Sequence, residues 1–472
     1  MPPEGRRSEW LYSELRNAIL HRRLRRGTQI PATRDIARHF GVARGTVVAV
    51  FEQLRAEGYV ESRRGSGTFI SERLPEDLLP SRAIPPARRT QIGRTQTVIP
   101  APRASGPPRA FRLNEPALDA FPIDVWARIG SRRLHGASRL LLASGDARGY
   151  RPLREAVAGY LAASRGVRCE ADQVVIVSGT QQALDLLARL VFKPGDAVWM
   201  EDPGYSGALA VLRRAAVQIV PVRVDDRGID VTLAERLAPD ARAAYVTPAH
   251  QFPLGVAMPA ERRLALLDWA RRAGALVIED DYDSEFRFEG RPLPALQGIA
   301  NEQQVIFIGS FNKALFPSLR IGYVVLPHSL VEPFAALRFH TDRYSPQIEQ
   351  AILCEFISEG HFARHLRRMR MLYQSRLHAL REAISRELAG VLEIPRIEAG
   401  LQTAALLKSG VESSRAVAAA IAHNLEVEDL NRFAIKRRDI SGLHLGFAAI
   451  DEEEIRRGAH ELARALAFKN PA

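Results

Sequence analysis

Three short polar runs, each directly after an apolar run, could supply the chemistry of one site. They begin at Ser178, Glu279 and Gly309. In α/β folds the carboxyl ends of parallel strands gather ligands at one edge of the sheet, so we expect the three runs to lie close together. They contain a lysine that could attack a carbonyl group, an acid, and a turn suited to phosphate.

The first run predicts a phosphate-binding turn. In Ser178-Gly-Thr-Gln-Gln-Ala-Leu-Asp185 a strand ends and a helix begins, so the backbone N–H groups of Gly179, Thr180 and Gln181 could receive a phosphate. Such turns are also common as plain strand-to-helix connections in α/β proteins. The turn alone therefore does not identify a ligand.

The other two runs hold the reactive side chains. Val277-Ile-Glu-Asp-Asp-Tyr-Asp283 puts Asp280 at the end of a strand, and Gly309-Ser-Phe-Asn-Lys-Ala-Leu-Phe-Pro-Ser-Leu-Arg320 puts Lys313 in an apolar context. Taken singly, an acid at a strand end fits a surface loop, and a lone lysine fits a solvated side chain. Together they match what pyridoxal 5'-phosphate (PLP) requires, namely an amine, an acid for its ring nitrogen and phosphate donors.

The elements that must position these residues form an alternating pattern. Strands are predicted at 174–177, 197–200, 243–246, 275–278, 305–308 and 321–326, with helical segments between them. This pattern predicts an α/β domain with a largely parallel sheet, extending to about residue 345. From about Glu349 the chain turns to amphipathic helices with one strand candidate, Leu443 to Phe447, which predicts a small α+β subdomain.

The first 72 residues predict three helices and a hairpin. Apolar residues mark the first helix (Leu11, Leu15, Ile19, Leu24), the second (Ile36, Ala37, Phe40) and the third (Val47, Val50, Phe51, Leu54). We expect Thr33 to cap the second helix and the third to begin near Arg44. Two short strands around a glycine turn follow, so the parts are those of a winged helix-turn-helix.

The first 72 residues, which we call the head, differ from the rest of the chain in charge, and the segment that follows them is rich in proline. Residues 1–72 carry thirteen arginines against eight acidic residues, and residues 73–110 carry seven against two, out of a net charge of +12 for 472 residues. The excess predicts a polyanion partner for this part, although a solvated basic surface would look the same. Eight prolines in residues 73–110 predict a linker.

Composition excludes several classes of protein. The chain has no apolar stretch long enough for a membrane helix and no secretory signal, so we expect a cytoplasmic protein. Its two cysteines, Cys169 and Cys354, lie far apart without a Cys/His cluster, so neither a disulfide framework nor a metal site is predicted.

The predicted third helix has the features expected of a DNA recognition helix. A recognition helix presents its N-terminal turn to base edges, and here that turn holds Arg44, Gly45 and Thr46. Arg34 is placed to contact a phosphate, and Gly65 and Gly67 let the wing approach the DNA backbone. The wing residues predicted to touch DNA are Arg64, Gly65, Ser66 and Gly67.

This head resembles the GntR family of winged-helix regulators. The resemblance rests on Ile30-Pro-Ala-Thr-Arg-Asp-Ile-Ala37, Gly41-Val-Ala-Arg-Gly-Thr-Val47, Glu57-Gly-Tyr59 and Arg64-Gly-Ser-Gly-Thr-Phe69.

With the body, the chain resembles the MocR subfamily, whose body is similar to fold-type-I aminotransferases. The match runs through Gly145-Asp-Ala-Arg-Gly-Tyr-Arg-Pro-Leu-Arg154, Glu201-Asp-Pro-Gly-Tyr205, Tyr245-Val-Thr-Pro-Ala-His-Gln-Phe-Pro253 and Glu279-Asp-Asp-Tyr-Asp-Ser-Glu-Phe286 to Arg320. The resemblance implies a head-to-tail homodimer that binds two DNA half-sites.

The resemblance also assigns roles to residues. Lys313 would form the Schiff base with PLP, Asp280 would pair with the pyridinium nitrogen, Tyr282 would bond the phenolic oxygen and Tyr205 would stack on the ring. The phosphate would be held by Ser178, Gly179, Thr180, Ser310 and Arg320. His250 or Gln251 would replace the asparagine that aminotransferases place near the ring oxygen.

Two positions depart from the pattern. Asn312 stands where the family has serine, and His444 stands where catalytic aminotransferases carry the arginine that binds a substrate carboxylate. A histidine cannot provide a permanent two-pronged cationic grip, so transamination of ordinary amino acids is disfavoured, with Arg432 as a candidate substitute. We therefore expect His444 and Arg432 to belong to an effector pocket.

Three functions follow. The first is a regulator of vitamin B6 or amino-acid and amine genes, whose effector is PLP, an amine or an amino acid, with at most a residual transaminase half-reaction. The second is an active PLP-dependent aminotransferase that carries a DNA-binding head. The third, a DNA-binding protein whose body is only a scaffold, predicts no cofactor and is disfavoured because lysine, aspartate, tyrosine and arginine occur together.

Overall fold

The structure is a computed structural model that describes residues 7–63, 66–78, 106–137, 139–290, 293–300, 304–408 and 411–467. The chain divides into two compact units. One, Met1–Ala104, contains the head, and the other, Ser105–Ala472, is called the body.

The head is a winged helix-turn-helix. Its elements are α1 (Arg7–Leu20), β1 (Gln29–Ile30), α2 (Thr33–Phe40), α3 (Arg44–Ala56), β2 (Val60–Arg63), β3 (Gly67–Ile70) and α4 (Pro75–Leu78). The strands form an antiparallel sheet in the order β1-β3-β2. The apolar faces predicted for the three helices meet in one core, in which Leu11, Val47 and Leu54 are fully buried.

Three details of the head differ from the sequence prediction. Ala32, not Thr33, is the N-cap of α2, and it makes no side-chain cap bond, so the prediction for Thr33 was wrong. Strand β1 is only two residues long, too short for a periodic signal, and was missed. Helix α4 lies inside the predicted linker, where Leu74 is buried in the head core and Arg26 pairs with Asp77.

The body is built on an eight-stranded sheet in the order β4-β11-β10-β9-β8-β5-β6-β7. Its strands are β4 (Val174–Val177), β5 (Ala197–Asp202), β6 (Gln218–Asp225), β7 (Gly228–Ile229), β8 (Ala243–Val246), β9 (Leu276–Asp281), β10 (Val305–Ser310) and β11 (Gly322–Val325). The five central strands β10, β9, β8, β5 and β6 are parallel, whereas β11 pairs antiparallel with both β10 and β4. The largely parallel sheet is confirmed.

Helices cover both faces of this sheet, as a largely parallel sheet requires. They are α5 (Ile123–His135), α6 (Arg139–Leu142), α7 (Arg151–Arg165), α8 (Thr180–Val191), α9 (Ser206–Arg214), α10 (Val231–Leu237), α11 (Ala260–Ala273), α12 (Leu296–Ile299), α13 (Phe311–Ala314) and α14 (His328–Thr341). On one face Trp199 of β5 stacks on Trp269 of α11 with ring centroids 3.6 Å apart.

The end of the chain forms the predicted small α+β subdomain. Its elements are α15 (Gln347–Ser358), α16 (His361–Glu387), β12 (Leu392–Glu393), β13 (Gln402–Leu407), α17 (Ser413–Ala422), β14 (Glu428–Asp429), β15 (Gly442–Gly446) and α18 (Glu452–Leu466). The antiparallel sheet β12-β13-β15-β14 contains the one strand that the sequence predicted, β15.

Candidate functional site

The three polar runs meet at the carboxyl edge of the large sheet. Strands β4, β9 and β10 end at Val177, Asp281 and Ser310, directly before or within the runs. Strands β9 and β10 are parallel neighbours, and Asp280 lies opposite Ile308. This places the acid beside β10, the strand that leads into α13 and Lys313. Parallel neighbours end at one edge, so this juxtaposition follows from the sheet order.

Asp280 is a buried acid with one oxygen used and one free. Tyr245 of β8 donates a 2.6 Å hydrogen bond to Asp280 Oδ2, while Oδ1 is buried without a partner. Burial raises the pKa of Asp280 to about 7, against the lowering effects of the Tyr245 bond and the Lys313 charge. A buried oxygen without a donor is costly, so this carboxylate is arranged for a cationic N–H group.

Lys313 lies in the short helix α13, where its amine faces buried acids. Burial lowers the pKa of Lys313 to about 8, although the charges of Asp283 and Asp280 oppose the shift. Its Nζ donates to Asn114 Oδ1 and lies 5.8 Å from the ring centroid of Tyr282. A lysine with a lowered pKa has a larger unprotonated fraction at neutral pH, which is the form that attacks a carbonyl group.

A cradle for an anion lies at the start of α8. Gly179 is its N-cap with φ +136°, and a Cβ there would fall 3.1 Å from Asn312 Nδ2 and 3.6 Å from Arg320 Nη2. The absence of a side chain on Gly179 therefore keeps open a space that both donors face. Thr180 begins the helix, so its backbone N–H adds to the positive end of the dipole.

The remaining predicted phosphate residues flank this cradle. Ser178 follows β4, and its backbone N–H donates to Gln182 Oε1 at 2.7 Å. Ser310 caps α13 by accepting from the backbone N–H of Asn312 at 3.3 Å. Asn312, the departure from the family pattern, uses Oδ1 to accept from Ile321 N at 3.1 Å, which leaves its amide nitrogen toward the cradle.

An aromatic cluster borders the site. Phe252 lies at its centre, with ring centroids 5.8 Å from Tyr205, 5.9 Å from Tyr282 and 4.9 Å from Phe433. Tyr205 Oη donates to Gln181 Oε1 at 3.2 Å, and burial raises the pKa of Tyr205 to about 12, so the phenol stays protonated. The cluster offers flat apolar faces to a ring-shaped ligand.

His250 and Gln251 were both candidates to replace the asparagine that aminotransferases place near the ring oxygen, and the two side chains have different partners. His250 Nδ1 lies 3.0 Å from both oxygens of the buried Asp283 and 3.1 Å from the Tyr282 hydroxyl. Gln251 Nε2 instead donates to Glu201 Oε2 and to the carbonyl groups of Pro203 and Phe252. The amide nitrogen of Gln251 already has three acceptors. His250, which contacts Tyr282, is therefore the better candidate for this position.

The two residues predicted for an effector pocket have different surroundings. His444 is 1% exposed, its Nδ1 has no partner, and its ring lies 5.4 Å from Phe252 and 5.6 Å from Phe433. Arg432 instead pairs with Glu428 at 2.9 Å and keeps 41% of its side chain exposed.

This arrangement fits pyridoxal phosphate. Asp280 Oδ1 would face the ring nitrogen, Lys313 the aldehyde carbon, Tyr282 the phenolic oxygen, and the Gly179 cradle with Arg320 the phosphate. Two of these groups are available without rearrangement, because Asp280 Oδ1 has no partner and Arg320 is exposed, whereas Lys313 Nζ would have to leave Asn114 Oδ1.

The predicted DNA-binding residues lie on exposed parts of the head. Arg44 and Gly45 are exposed in the first turn of α3, Thr46 is half-buried, and Arg34 is exposed in the first turn of α2. A Cβ on Gly45 would meet nothing within 4 Å, so no intramolecular contact requires glycine there. Val48 on the same helix, to which the sequence analysis gave no role, is 37% exposed.

The wing is described in part. Ser66 and Gly67 are exposed, and Arg64 and Gly65 lie outside the described residues. Gly67 has φ +106°, and a Cβ there would fall 2.5 Å from Gln29 Nε2, which donates to Ser66 O at 2.6 Å. The positive φ of Gly67 therefore explains the glycine without any DNA contact, since Gln29 Nε2 ends a flexible side chain that could move aside.

Three residues of the site were given no role from the sequence, although two of them, Tyr245 and Asp283, lie in runs that the sequence analysis singled out. Tyr245 looks like an ordinary apolar strand residue, and Asn114 belongs to a segment about two hundred residues away from Lys313. Asp283 sat in a predicted run, but its pairing with His250 depends on tertiary contact. Within the described ranges no helix is long and apolar enough to cross a membrane, and no group of three metal-ligating side chains occurs.

Comparisons with known proteins agree with this geometry. Residues 7–70 match the bacterial regulatory proteins of the gntR family, and residues 110–462 match aminotransferase class I and II. The structure of the α-aminoadipate aminotransferase LysN from Thermus thermophilus, complexed with N-(5'-phosphopyridoxyl)-L-leucine, is similar with a TM-score of 0.70 and 28% identity, covering 75% of this chain and 91% of that chain.

Two regulators are similar over almost the whole length. A probable rhizopine catabolism regulatory protein, MocR of Rhizobium meliloti, is 40% identical over 97% of this chain and 93% of its own. The pyridoxine biosynthesis transcriptional regulator PdxR of Corynebacterium glutamicum is 28% identical over 97% of this chain and 95% of its own. The chain therefore belongs to the MocR subfamily of GntR-type transcriptional regulators, in which a winged helix-turn-helix is joined to a fold-type-I aminotransferase-like domain.

Proposed function

We propose that this regulator holds PLP on Lys313 and that PLP, or an amine that reacts with it, is the effector that changes its affinity for DNA. The target genes would serve vitamin B6 or amino-acid and amine metabolism, as the names of its relatives suggest. The protein would act as a head-to-tail homodimer whose two heads contact two half-sites.

The buried, unpartnered Oδ1 of Asp280 carries this proposal. A plain dimerisation scaffold has no use for a carboxylate held by Tyr245 with one oxygen empty and a lysine of lowered pKa nearby. When bound, PLP supplies an aldehyde that condenses with amines and a ring that withdraws electrons. Asp280 would stabilise the protonated ring nitrogen, and Tyr205 and Phe252 would exclude water from its faces.

Regulation requires that the ligand bind two conformations of the body with different affinity. The loop that carries Tyr205 is tied to the small subdomain, because Gly204 N donates to Phe433 O at 3.1 Å and Asp202 accepts from the backbone of 435–437. A ligand that moves this loop would thus move the subdomain with it.

The test is a titration of PLP into apo-protein, with visible absorbance and affinity for DNA from upstream of its own gene measured in the same samples at one salt concentration. We expect an absorbance band that borohydride abolishes, that Lys313→Ala lacks and that Lys193→Ala, a change of an exposed lysine, retains. If the absorbance band appears and the affinity for DNA changes with it, PLP is itself the effector. If the band appears without a change in affinity, PLP is a prosthetic group and amines should be tested next. Protein that takes up no PLP would overturn the proposal.

The same residues favour a second candidate, an active aminotransferase. A lysine with a pKa of about 8 can accept and return a proton near neutral pH, which a transaminase half-reaction needs. This candidate would be supported if the PLP-loaded protein converted an amino acid to its keto acid in a single-turnover experiment and Lys313→Ala did not. Burial lowers the pKa of His444 to about 3, so the residue that stands in place of the substrate-binding arginine is uncharged, which argues for slow turnover.

A further inference from the structure

The amine of Lys313 is hydrogen-bonded to a residue from the first part of the body. Its Nζ donates to Asn114 Oδ1, across 199 positions of the chain. A lysine ammonium has three N–H donors, and this bond uses one of them. When the amine condenses with an aldehyde, a C=N bond forms and the carbonyl oxygen leaves as water with two protons from the nitrogen. The nitrogen then keeps at most one N–H, so the ammonium group that Asn114 holds no longer exists.

The segment that carries this asparagine, residues 109–117, is called the strap here, and its first half is fixed to the small subdomain. Arg112 is buried, and its Nη2 donates to Glu426 Oε1 at 2.9 Å. The backbone N–H of Ala110 donates to Glu454 Oε1 at 3.1 Å. Both acceptors belong to the small subdomain, so the strap and that subdomain are held together by buried or partly buried groups.

The middle of the strap is its more accessible part. Asn114 is exposed, whereas Arg112 before it and Ala117 after it are buried. The backbone N–H of Asn114 donates to Gln402 Oε1 at 3.0 Å, and its side chain reaches Lys313. Loss of the lysine contact therefore acts on the least buried stretch between two fixed ends, where a single hydrogen bond counts most for local opening.

The strap is also the point at which the body meets the linker. The proline-rich linker predicted over residues 73–110 ends in the first two residues of the strap. One of these, Arg109, donates from Nε to Glu426 Oε1 at 3.0 Å. A single stretch of chain joins the head to the body, and it runs directly into the residue that holds Lys313.

From these contacts we propose that Asn114 is a latch, which holds the strap to the free amine of Lys313 and is released when that amine captures a carbonyl compound. The inference rests on the proposed function, because PLP is the carbonyl compound that loads the lysine. The two events oppose each other, since Nζ must leave Asn114 before it can attack. By linkage, a protein without the latch binds PLP more tightly.

The first test measures amide hydrogen exchange of the strap by mass spectrometry in the full-length protein without PLP. Lys313→Ala removes the donor and leaves the sequence of the strap intact, so peptides that cover residues 111–117 should exchange about threefold faster or more. Lys193→Ala, at an exposed lysine, should leave that rate unchanged. Equal exchange in Lys313→Ala and unsubstituted protein overturns the latch.

Loading with PLP should have the same effect on the strap. In unsubstituted protein we expect PLP to raise the exchange rate of residues 111–117 toward the value found in Lys313→Ala. This direction is diagnostic, because bound ligands commonly make a protein more rigid. Exchange that slows or stays constant on loading overturns the release. Failure to take up PLP would instead overturn the proposed function, while the comparison without PLP still decides whether Asn114 is held by Lys313.

The second test measures PLP affinity by absorbance titration. Asn114→Gly should bind PLP about three- to tenfold more tightly, because one hydrogen bond no longer competes for the amine. Asn114 has φ +64°, which glycine adopts without strain, so the change removes only the side chain. A gain in affinity cannot result from poor folding. Unchanged or weaker binding by folded Asn114→Gly would overturn the latch and leave the proposed function standing.

Asn424→Gly is the matched control. Asn424 is also exposed and has φ +61°, and its Oδ1 accepts a hydrogen bond from Arg109 of the same strap. The change therefore removes an asparagine of the same conformation and a strap contact, but not the contact with Lys313. We expect its PLP affinity to equal that of the unsubstituted protein. An equal gain in both variants would assign the effect to loosening of the strap in general and overturn the role of Asn114.

Discussion

Tyr245 and Asp280 form a buried pair in which the phenol donates a 2.6 Å hydrogen bond to Oδ2 and the opposite oxygen is left free. The two residues come from neighbouring parallel strands, β8 and β9, and both are almost fully buried. The phenol orients the carboxylate and favours its charged form, so Tyr245 acts on a cofactor that it does not need to touch.

Tyr245→Phe should weaken PLP binding by about 10- to 100-fold, the value of a hydrogen bond to a charged group. Without the phenol the pKa of Asp280, already about 7, rises further, so less of the carboxylate is ionised at pH 7. Absorbance titration measures the affinity. Tyr323→Phe, at a buried tyrosine of β11, is the control, and equal losses in both variants would contradict the role given to Tyr245.

Capture of PLP by Lys313 should speed up as pH rises through about 8. Burial lowers the pKa of Lys313 to about 8, and the neutral amine is the attacking form, so the rate increases from pH 7 and levels off above about pH 9. Stopped-flow absorbance across this range measures it. A rate that keeps rising beyond pH 10, as for a free lysine, would show that the amine is solvated rather than buried.

Arg44→Ala should weaken specific DNA binding by about 1–3 kcal/mol if its guanidinium reads a base. Fluorescence anisotropy at fixed salt, with operator and scrambled DNA, separates base reading from phosphate contact. Arg55→Ala, at an exposed arginine in the last turn of the same helix, should cost less. Unchanged operator affinity in Arg44→Ala would exclude the base-reading role.

Gly45→Ala should stabilise the head while weakening operator binding. Alanine is favoured over glycine inside a helix by about 0.5–1 kcal/mol, and no intramolecular atom lies within 4 Å of the added Cβ. A rise in melting temperature with a loss of DNA affinity would place the DNA backbone or a base edge against Gly45. A rise without loss would leave this surface unused.

Asp202→Asn should lower both thermal stability and PLP affinity. The carboxylate accepts from the backbone N–H groups of Ile435, Lys436 and Arg437 at 2.8, 2.8 and 3.0 Å. An amide would put a donor against donors, at a cost of about 1–3 kcal/mol. Asp226→Asn, at an exposed acid that follows the neighbouring strand β6, is the control, and similar melting curves for the two variants would contradict this account.

The strands that could be predicted are those whose apolar pattern along the sequence matches their burial in the folded sheet. Strands β4 and β8 match their predicted ranges, because they are buried on both faces and therefore apolar throughout. Strand β6 was missed because Pro221 interrupts it and its exposure alternates toward the edge of the sheet. Strands β7, β12 and β14 have two residues each, too few for any period.

By itself the sequence determined the winged helix-turn-helix head, the α/β body and the runs that carry Lys313, Asp280 and Gly179, because glycine turns, strand-end acids and apolar periods are local features. Only the tertiary structure decided which partners those residues have. Tyr245 reaches Asp280, Asn114 reaches Lys313 and His250 reaches Asp283 from separate segments, and burial shifts the pKa values of Asp280, Lys313 and His444. Desolvation and the pairing of distant groups depend on how the whole chain packs, so neither can be read from spacing along it.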